Sequence, residues 1–358
     1  MWIRWAFQHF LKLAAANAFV ICFFSAGKCA AQETLIAKNS KLPESHRRSG
    51  VGGAHEVSMT AEYSESQIKV TTYNVHFLPT LAVPFAGRRG QHEYRAAEIG
   101  RQLQGSDIIG FCEAFHKKQS DLLVKGLQET ESQELHVARG PSRSGRHLTN
   151  SGLMLVSRFP IVQSNNHTFK NATRLIKHGF KNDGLAAKGV LHVRVDRESG
   201  QQLDCFLTHL ESQNEKVRMA QVTELVDFIK MHRDENLPAI VMGDFNIASS
   251  KASEAEASLE YLRLVEMFNS GDAKFEDLGQ GQERASGTSD AMAEGGGKRI
   301  DYIFWSNTSD CNTFLKHYQF AHAPLRDSKV SEGSLSDHCA VSCNLKIRSK
   351  LHAKQHDP

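Results

Sequence analysis

Eight polar residues stand at the ends of apolar, strand-like runs, and their types fit one chemistry. Asn74 follows Lys69-Val-Thr-Thr-Tyr, Glu113 follows Ile108-Ile-Gly-Phe-Cys, and His209 follows Phe206-Leu-Thr. Asp244 and Asn246 follow Ile240-Val-Met-Gly, Asp301 sits in Arg299-Ile-Asp-Tyr-Ile, and Asp337 and His338 lead into the last apolar run. Carboxylates and an amide are hard oxygen ligands for a small divalent cation, and imidazoles move protons near neutral pH. The combination points to cation-assisted attack on a phosphoester. Any one of these residues alone would be an ordinary cap or turn after a strand; as an ordered set they define a site.

The elements that must hold them alternate along the chain. Strands are predicted over 68–75, 107–112, 134–138, 152–157, 161–168, 188–195, 202–209, 239–242, 300–305, 314–321 and 339–345, with helices over 93–103 and 120–128. Two more helices are predicted to open on capping boxes. One is Ser212-x-x-Glu215, with Val222, Leu225, Val226 and Ile229 on one face, and the other is Ser253-x-x-Glu256. Such a pattern predicts an α/β fold of two packed sheets with helices outside. Residues 271–298, rich in Gly, Ser, Ala and charge, read as a long loop.

The N-terminus is basic and aromatic to Lys12, apolar from Leu13 to Ser25 apart from Asn17, and small at Cys29-Ala30-Ala31. This predicts a secretory signal peptide over 1–31. The apolar stretch is shorter than the roughly 20 residues a membrane-spanning helix needs, and an uncleaved leader would anchor the protein to a membrane. Residues 32–66 are polar and aperiodic, a flexible linker. A single catalytic domain is expected over 67–348, and 349–358 is a tail.

The chain has 358 residues, 40% of them hydrophobic and 23% charged, which excludes disordered and coiled-coil classes. Three of the 43 basic residues, Arg4, Lys12 and Lys28, precede Gln32, and none of the 40 acidic ones does. The folding part is therefore neutral by count, without the broad basic field of a nucleic-acid binder. Beyond the leader, Cys112 and Cys205 read as buried small hydrophobes. If a disulfide forms, it comes from Cys311, Cys339 and Cys343.

The ordered motifs Thr72-Tyr-Asn-Val, Gly110-Phe-Cys-Glu113, Ser151-Gly-Leu-Met-Leu-Val-Ser-Arg-Phe-Pro160, Thr208-His-Leu, Gly243-Asp-Phe-Asn, Arg299-Ile-Asp-Tyr-Ile and Ser336-Asp-His resemble the endonuclease/exonuclease/phosphatase superfamily. The resemblance implies a four-layer α/β/β/α, DNase I-like sandwich and phosphoester cleavage with Mg²⁺, for which Mn²⁺ or Co²⁺ could substitute. Within that superfamily, Asn74-Val-His-Phe-Leu-Pro79, Asp183-Gly-Leu-Ala-Ala-Lys188-Gly189, and Thr208-His209-Leu210 followed by Arg218 and Gln221 resemble the neutral sphingomyelinases. Nuclease members generally lack the Asp-x4-Lys-Gly element. Cys112 stands where the family has Gln, and Cys339 where an aromatic is common.

By that resemblance Glu113 holds the cation, with Asn74 and Asp337 nearby. His338 is the general base, titrating near pH ~6.5, and Asp301 holds its tautomer. Asp244 and Asn246 orient water and phosphate, and His209 serves the leaving oxygen. Lys188 contacts phosphate, engaged or released through Asp183. The implied reaction is hydrolysis of sphingomyelin to ceramide and phosphocholine at a membrane surface, with neither a stable nucleic-acid partner nor a protein partner inferred. The apolar run from Phe77 to Phe85 would touch lipid or form a core rim. The alternatives are a secreted Mg²⁺-dependent nuclease, a binding module with a decayed site, and an inositol-phosphate phosphatase for which Arg143, Arg146 and Arg174 are loose candidates.

Overall fold

Side chains alternate between two environments along each strand and cluster every three to four residues along each helix, so every element has one face to bury. The computed structural model describes residues 63–78, 91–129, 134–143, 147–173, 186–197, 201–250, 257–271, 273–281, 287–289, 297–310 and 312–350. All of these fall in the unit Thr60–Pro358.

Strands β1 (Tyr63–Phe77), β2 (Ile108–Ala114), β3 (His136–Arg139), β4 (Met154–Ser157), β11 (Thr313–Ala323) and β12 (Ala340–Lys350) form one sheet in the order β11-β12-β1-β2-β4-β3. Strands β5 (Ile161–Thr168), β6 (Gly189–Asp196), β7 (Gln202–His209), β8 (Ala239–Asp244), β9 (Glu276–Asp277) and β10 (Asp301–Ser306) form the second, in the order β5-β6-β7-β8-β10-β9. Each sheet holds one parallel pair, β1 with β2 and β7 with β8, and is otherwise antiparallel.

Three apolar layers hold the sandwich together. Between the sheets, Val70, Ile108, Leu155 and Val341 meet Leu191, Leu207, Met242 and Trp305. Helices α1 (His92–Gln102) and α2 (Lys117–Gln128) cover the first sheet through Ile99, Leu123 and Leu127. Helices α3 (Glu215–His232) and α4 (Leu259–Phe268) cover the second through Val222, Leu225, Leu264 and Phe268. This is the four-layer arrangement expected. No helix among the described residues is long and apolar enough to cross a membrane.

The structure moves several boundaries. β1 starts at Tyr63, so Tyr63–Ser66, read as linker, pair with β12, and β12 takes Ser349 and Lys350 from the expected tail. Their alternating exposure and charge disguised an outer ladder, in which Glu65 is held by Lys316 and by Lys346 at 2.9 Å. The box read at Ser212 does not cap α3. The α3 cap is Asn214, whose side chain accepts from Val217 N, and the α4 cap is Ser258, which accepts from Tyr261 N. Ser253 and Glu256 lie outside the described residues, as do the leader 1–31, Cys311, Arg146 and Arg174.

The long loop carries β9, whose Asp277 is a buried anchor. It takes Arg299 at 3.1 and 2.7 Å and the Tyr261 hydroxyl at 2.5 Å. Cys112, Cys205, Cys339 and Cys343 are free and buried. Cys112 Sγ lies 3.5 Å from Thr208 O, so the residue that replaces the family's Gln bridges the two sheets.

Candidate active site

Topology gathers the candidate residues. Asn74, Glu113, His209 and Asp244 stand at or near the C-terminal ends of β1, β2, β7 and β8, while Asp301 opens β10, antiparallel to β8 and directly opposite Asp244. His338 enters β12, antiparallel to β1. All therefore lie along one edge of the sandwich, and a hydrogen bond from Asn74 Nδ2 to Asp244 Oδ2 at 3.0 Å closes the gap between the sheets.

Backbone strain is concentrated here. His76, Glu113 and Asn246 have φ of 52°, 61° and 53°, in the left-handed region that non-glycine residues avoid. Val75 and His76 form a break in register between β1 and β2. Glu113 can turn in this way because Gly152 packs against it. A Cβ on Gly152, itself at φ 68°, would lie 3.0 Å from Glu113 Cα and 2.9 Å from the Phe115 ring. This explains the glycine of the Ser151-Gly-Leu motif.

Around Asp244 the groups form a continuous polar cluster. Asn74 Nδ2 donates to Glu113 Oε1 at 3.2 Å, while Asn74 Oδ1 accepts from His76 N at 3.1 Å. Asn74 thus turns its amide nitrogen toward the carboxylates, and a role as oxygen ligand would need that amide to reverse. His209 Nε2 lies 3.4 Å from Asp244 Oδ2 and 4.0 Å from Glu113 Oε1. Lys188 Nζ is 2.7 Å from His209 Nε2, and both side chains are buried. Lys188 therefore belongs to the cluster, whereas Asp183 lies outside the described residues.

Asn246 donates its backbone N–H to Asp244 Oδ1 at 2.9 Å and its amide to Leu210 O at 3.0 Å. Arg218 donates to Glu211 O at 2.9 Å and Ser212 O at 3.0 Å, and Gln221 Oε1 accepts from Glu211 N at 2.8 Å. These two helix residues hold the segment that follows His209. Asp337 stands at the rim, 3.6 Å from His76 Nε2 and 3.2 Å from the Ser336 hydroxyl. Phe77 is fully buried in the first-sheet core, and 79–90 lie outside the described residues.

His338 and Asp301 form the most regular part of the cluster. His338 Nδ1 lies 2.8 Å from Asp301 Oδ2, and His338 Nε2 lies 3.8 Å from Asp244 Oδ2. The Thr288 hydroxyl receives both Ile300 N and Asp301 N at 3.0 Å, which fixes the start of β10. Burial works against the charged imidazole, but the carboxylates of Asp301, Asp244 and Asp337 outweigh it and hold the His338 pKa well above its ordinary value. This corrects the expectation of titration near pH ~6.5. Composition could not show how many carboxylates converge on one ring.

Two oxygens fit a hard cation. Glu113 Oε2 and Asp301 Oδ1 are buried without a hydrogen-bond partner, an arrangement that is costly unless something neutralises it. Single ligand atoms of Asp244, Asp301 and His338 also lie within 4.8 Å of one another. Because His338 is committed to Asp301 through Nδ1, the oxygens of Glu113, Asp244 and Asp301 suit Mg²⁺ better than the ring does. Burial, followed by the charge of Asp337, pushes the Glu113 pKa up to about 7.

Cation binding should therefore release a proton. Below about pH 7 Glu113 keeps its proton in the cation-free protein, and a carboxylate must lose it to become a ligand. Mg²⁺ affinity is expected to fall about tenfold for each pH unit below that point. Titration calorimetry in two buffers of different ionisation heat measures the proton count, and an affinity independent of pH from about 5.5 to 8 would remove Glu113 from the ligand set.

Among solved structures, a beta toxin variant from Staphylococcus aureus crystallised with bound magnesium ions has the same fold. It superposes at a TM-score of 0.58 with 19% identity, over 78% of this chain and 99% of that one. The chain belongs to the Endonuclease/Exonuclease/phosphatase family, which it matches over residues 71–338. It is 28% identical over 228 residues to Sphingomyelinase C of Leptospira interrogans, covering 58% of this chain and 38% of that protein. It is also 28% identical over 222 residues to Phospholipase C of Staphylococcus aureus, covering 55% and 63%. The chain thus spans less than two thirds of the length of these relatives.

Proposed function

We propose that this protein is an exported, Mg²⁺-dependent phosphodiesterase that hydrolyses sphingomyelin to ceramide and phosphocholine at a membrane surface. The observation that carries this reading is the position of Lys188, buried 2.7 Å from His209 and inside the carboxylate cluster. Lys188 belongs to the Asp-x4-Lys-Gly element that nuclease members generally lack, and its contact with His209 supports the sphingomyelinase reading over the nuclease one. The similarity to Sphingomyelinase C supports the same substrate class.

Glu113 and Asp244, with Asp301 Oδ1 close by, would hold the cation. When bound, it would supply charge to a phosphoryl oxygen and to the transition state. His338 Nε2 takes a proton from water as the water oxygen forms its bond to phosphorus. Asp301 keeps the other ring nitrogen protonated and stabilises the imidazolium. The bond from phosphorus to the ceramide oxygen breaks, and the His209–Lys188 pair provides the proton and positive charge that oxygen needs. Asn246, anchored on Leu210 O and Asp244, fixes the wall against which the phosphate sits.

The test is phosphocholine release from sphingomyelin vesicles with Mg²⁺, with phosphatidylcholine vesicles and single- and double-stranded DNA run in parallel. Cleavage of sphingomyelin that stops on chelation is the expected result. DNA cleavage with inert vesicles would establish the nuclease reading instead.

A further inference from the structure

Helix α1 carries a charged residue on its buried face. Arg95 is fully buried alongside Ala96 and Ile99, and its guanidinium lies 5.0 Å from the centre of the Phe77 ring. Nη2 donates to Val75 O at 2.7 Å, Nη1 reaches His76 O at 3.5 Å, and Nε donates to Leu335 O at 2.7 Å. Val75 and His76 are the irregular residues after Asn74, and Leu335 precedes Ser336-Asp337-His338. One planar group therefore ties the strand end that carries Asn74 to the segment that carries His338.

A leucine would fasten α1 to the sheet as well, without the cost of burying a charge. The placement of the carbonyls gives the reason for an arginine. With its carbonyl turned to the guanidinium, His76 keeps its left-handed conformation and presents its N–H to Asn74 Oδ1. That bond sets the Asn74 amide, which in turn holds Glu113 and Asp244. On the other side, the Ser336 hydroxyl donates to Asn74 O at 2.7 Å, so the same two segments are joined twice.

We propose that Arg95 is a positioning residue that sets the spacing between the Asn74–Glu113 half of the site and the Asp337–His338 half, and through it divalent-cation affinity. The proposal rests on the cation-dependent hydrolase reading but not on the choice of lipid substrate. A lysine retains charge and length but cannot reach three carbonyl oxygens in one plane. Arg95→Lys in the full chain is expected to raise the Mg²⁺ dissociation constant about 10- to 100-fold, the range for losing a group that orients ligands. With the soluble phosphodiester bis(p-nitrophenyl) phosphate, kcat should fall by a similar factor while KM changes little.

Tyr94→Phe is the control. It removes the 2.6 Å bond from Tyr94 to Asp327 in the same contact between α1 and the 325–335 segment, and should lower the melting temperature without weakening Mg²⁺ binding. Ser336→Ala cuts the second tie and should weaken Mg²⁺ binding in the same direction as Arg95→Lys, a test that stands even if the arginine variant does not fold. Wild-type Mg²⁺ affinity in a folded Arg95→Lys, or equal loss of affinity in Tyr94→Phe, overturns the proposal. Because calorimetry with Mg²⁺ needs no lipid, inert sphingomyelin vesicles with intact cation binding would count against the substrate alone.

Discussion

Glu113→Gln is expected to reduce kcat by at least about 10³-fold, the scale of losing several kcal/mol of charge stabilisation in the transition state. In the cation-free protein the same change should leave the melting temperature unaltered or raise it. Glu113 is half-buried at a strained φ of 61°, and desolvation of its carboxyl and then Asp337 push its pKa from 4.5 to about 7. With a folded-state pKa above the unfolded one, the folded state binds more protons between about pH 4.5 and 7. Stability contributed by this group is therefore lost as pH rises through that window. Glutamine keeps the hydrogen bond from Asn74 and removes the penalty. Adding Mg²⁺ should reverse the ranking, because wild type gains stability from binding and the variant does not. Thermal melts with chelator and with Mg²⁺ at pH 8 separate the two effects. A variant that melts far below wild type in chelator would show that Glu113 mainly supports the fold.

The site was legible because its chemistry sits at strand ends. A strand fixes where its last residue lies, so Asn74, Glu113, His209 and Asp244, each read from an apolar run and the polar group after it, arrive at one edge once the sheets form. What stayed hidden depended on pairings across long stretches of chain. Tyr63–Ser66 looked like linker because its partners on β12 and β11 lie more than 240 positions away. Asp277 lay in a stretch rich in loop-forming residues, and its partners Arg299 and Tyr261, distant in sequence, make it an anchor. Arg95 had left a signal, a charged residue one turn before Ile99 on an apolar face. His76 lay inside a motif already singled out, yet its left-handed φ follows from a local break in register that no periodicity encodes. The box at Ser212 failed for a simpler reason: Asn214 is a good cap that stands closer to the first helical turn.

Asp301→Asn should cost about 10² to 10⁴ in kcat and also move the pH dependence, and the second effect identifies the base. Burial lowers the His338 pKa, yet Asp301, then Asp244 and Asp337, more than offset it, so the imidazole is held charged above its usual range. A general base must be neutral, and activity should therefore rise with pH through the His338 pKa. A bound cation beside Asp244 would weaken the pull of the carboxylates and bring that limb back toward neutrality. Removing the Asp301 carboxylate leaves burial less opposed, so the limb should shift to lower pH while the plateau falls. The plateau falls because an amide cannot hold Nδ1 protonated and stabilise the imidazolium at 2.8 Å as a carboxylate does. His338→Ala should abolish the limb. A rate profile for Asp301→Asn that keeps the wild-type midpoint would assign the titration to another group, with Glu113 the next to test. Loss of rate without a shift would then mean that Asp301 serves the site as a cation ligand through Oδ1, and not as the partner of His338.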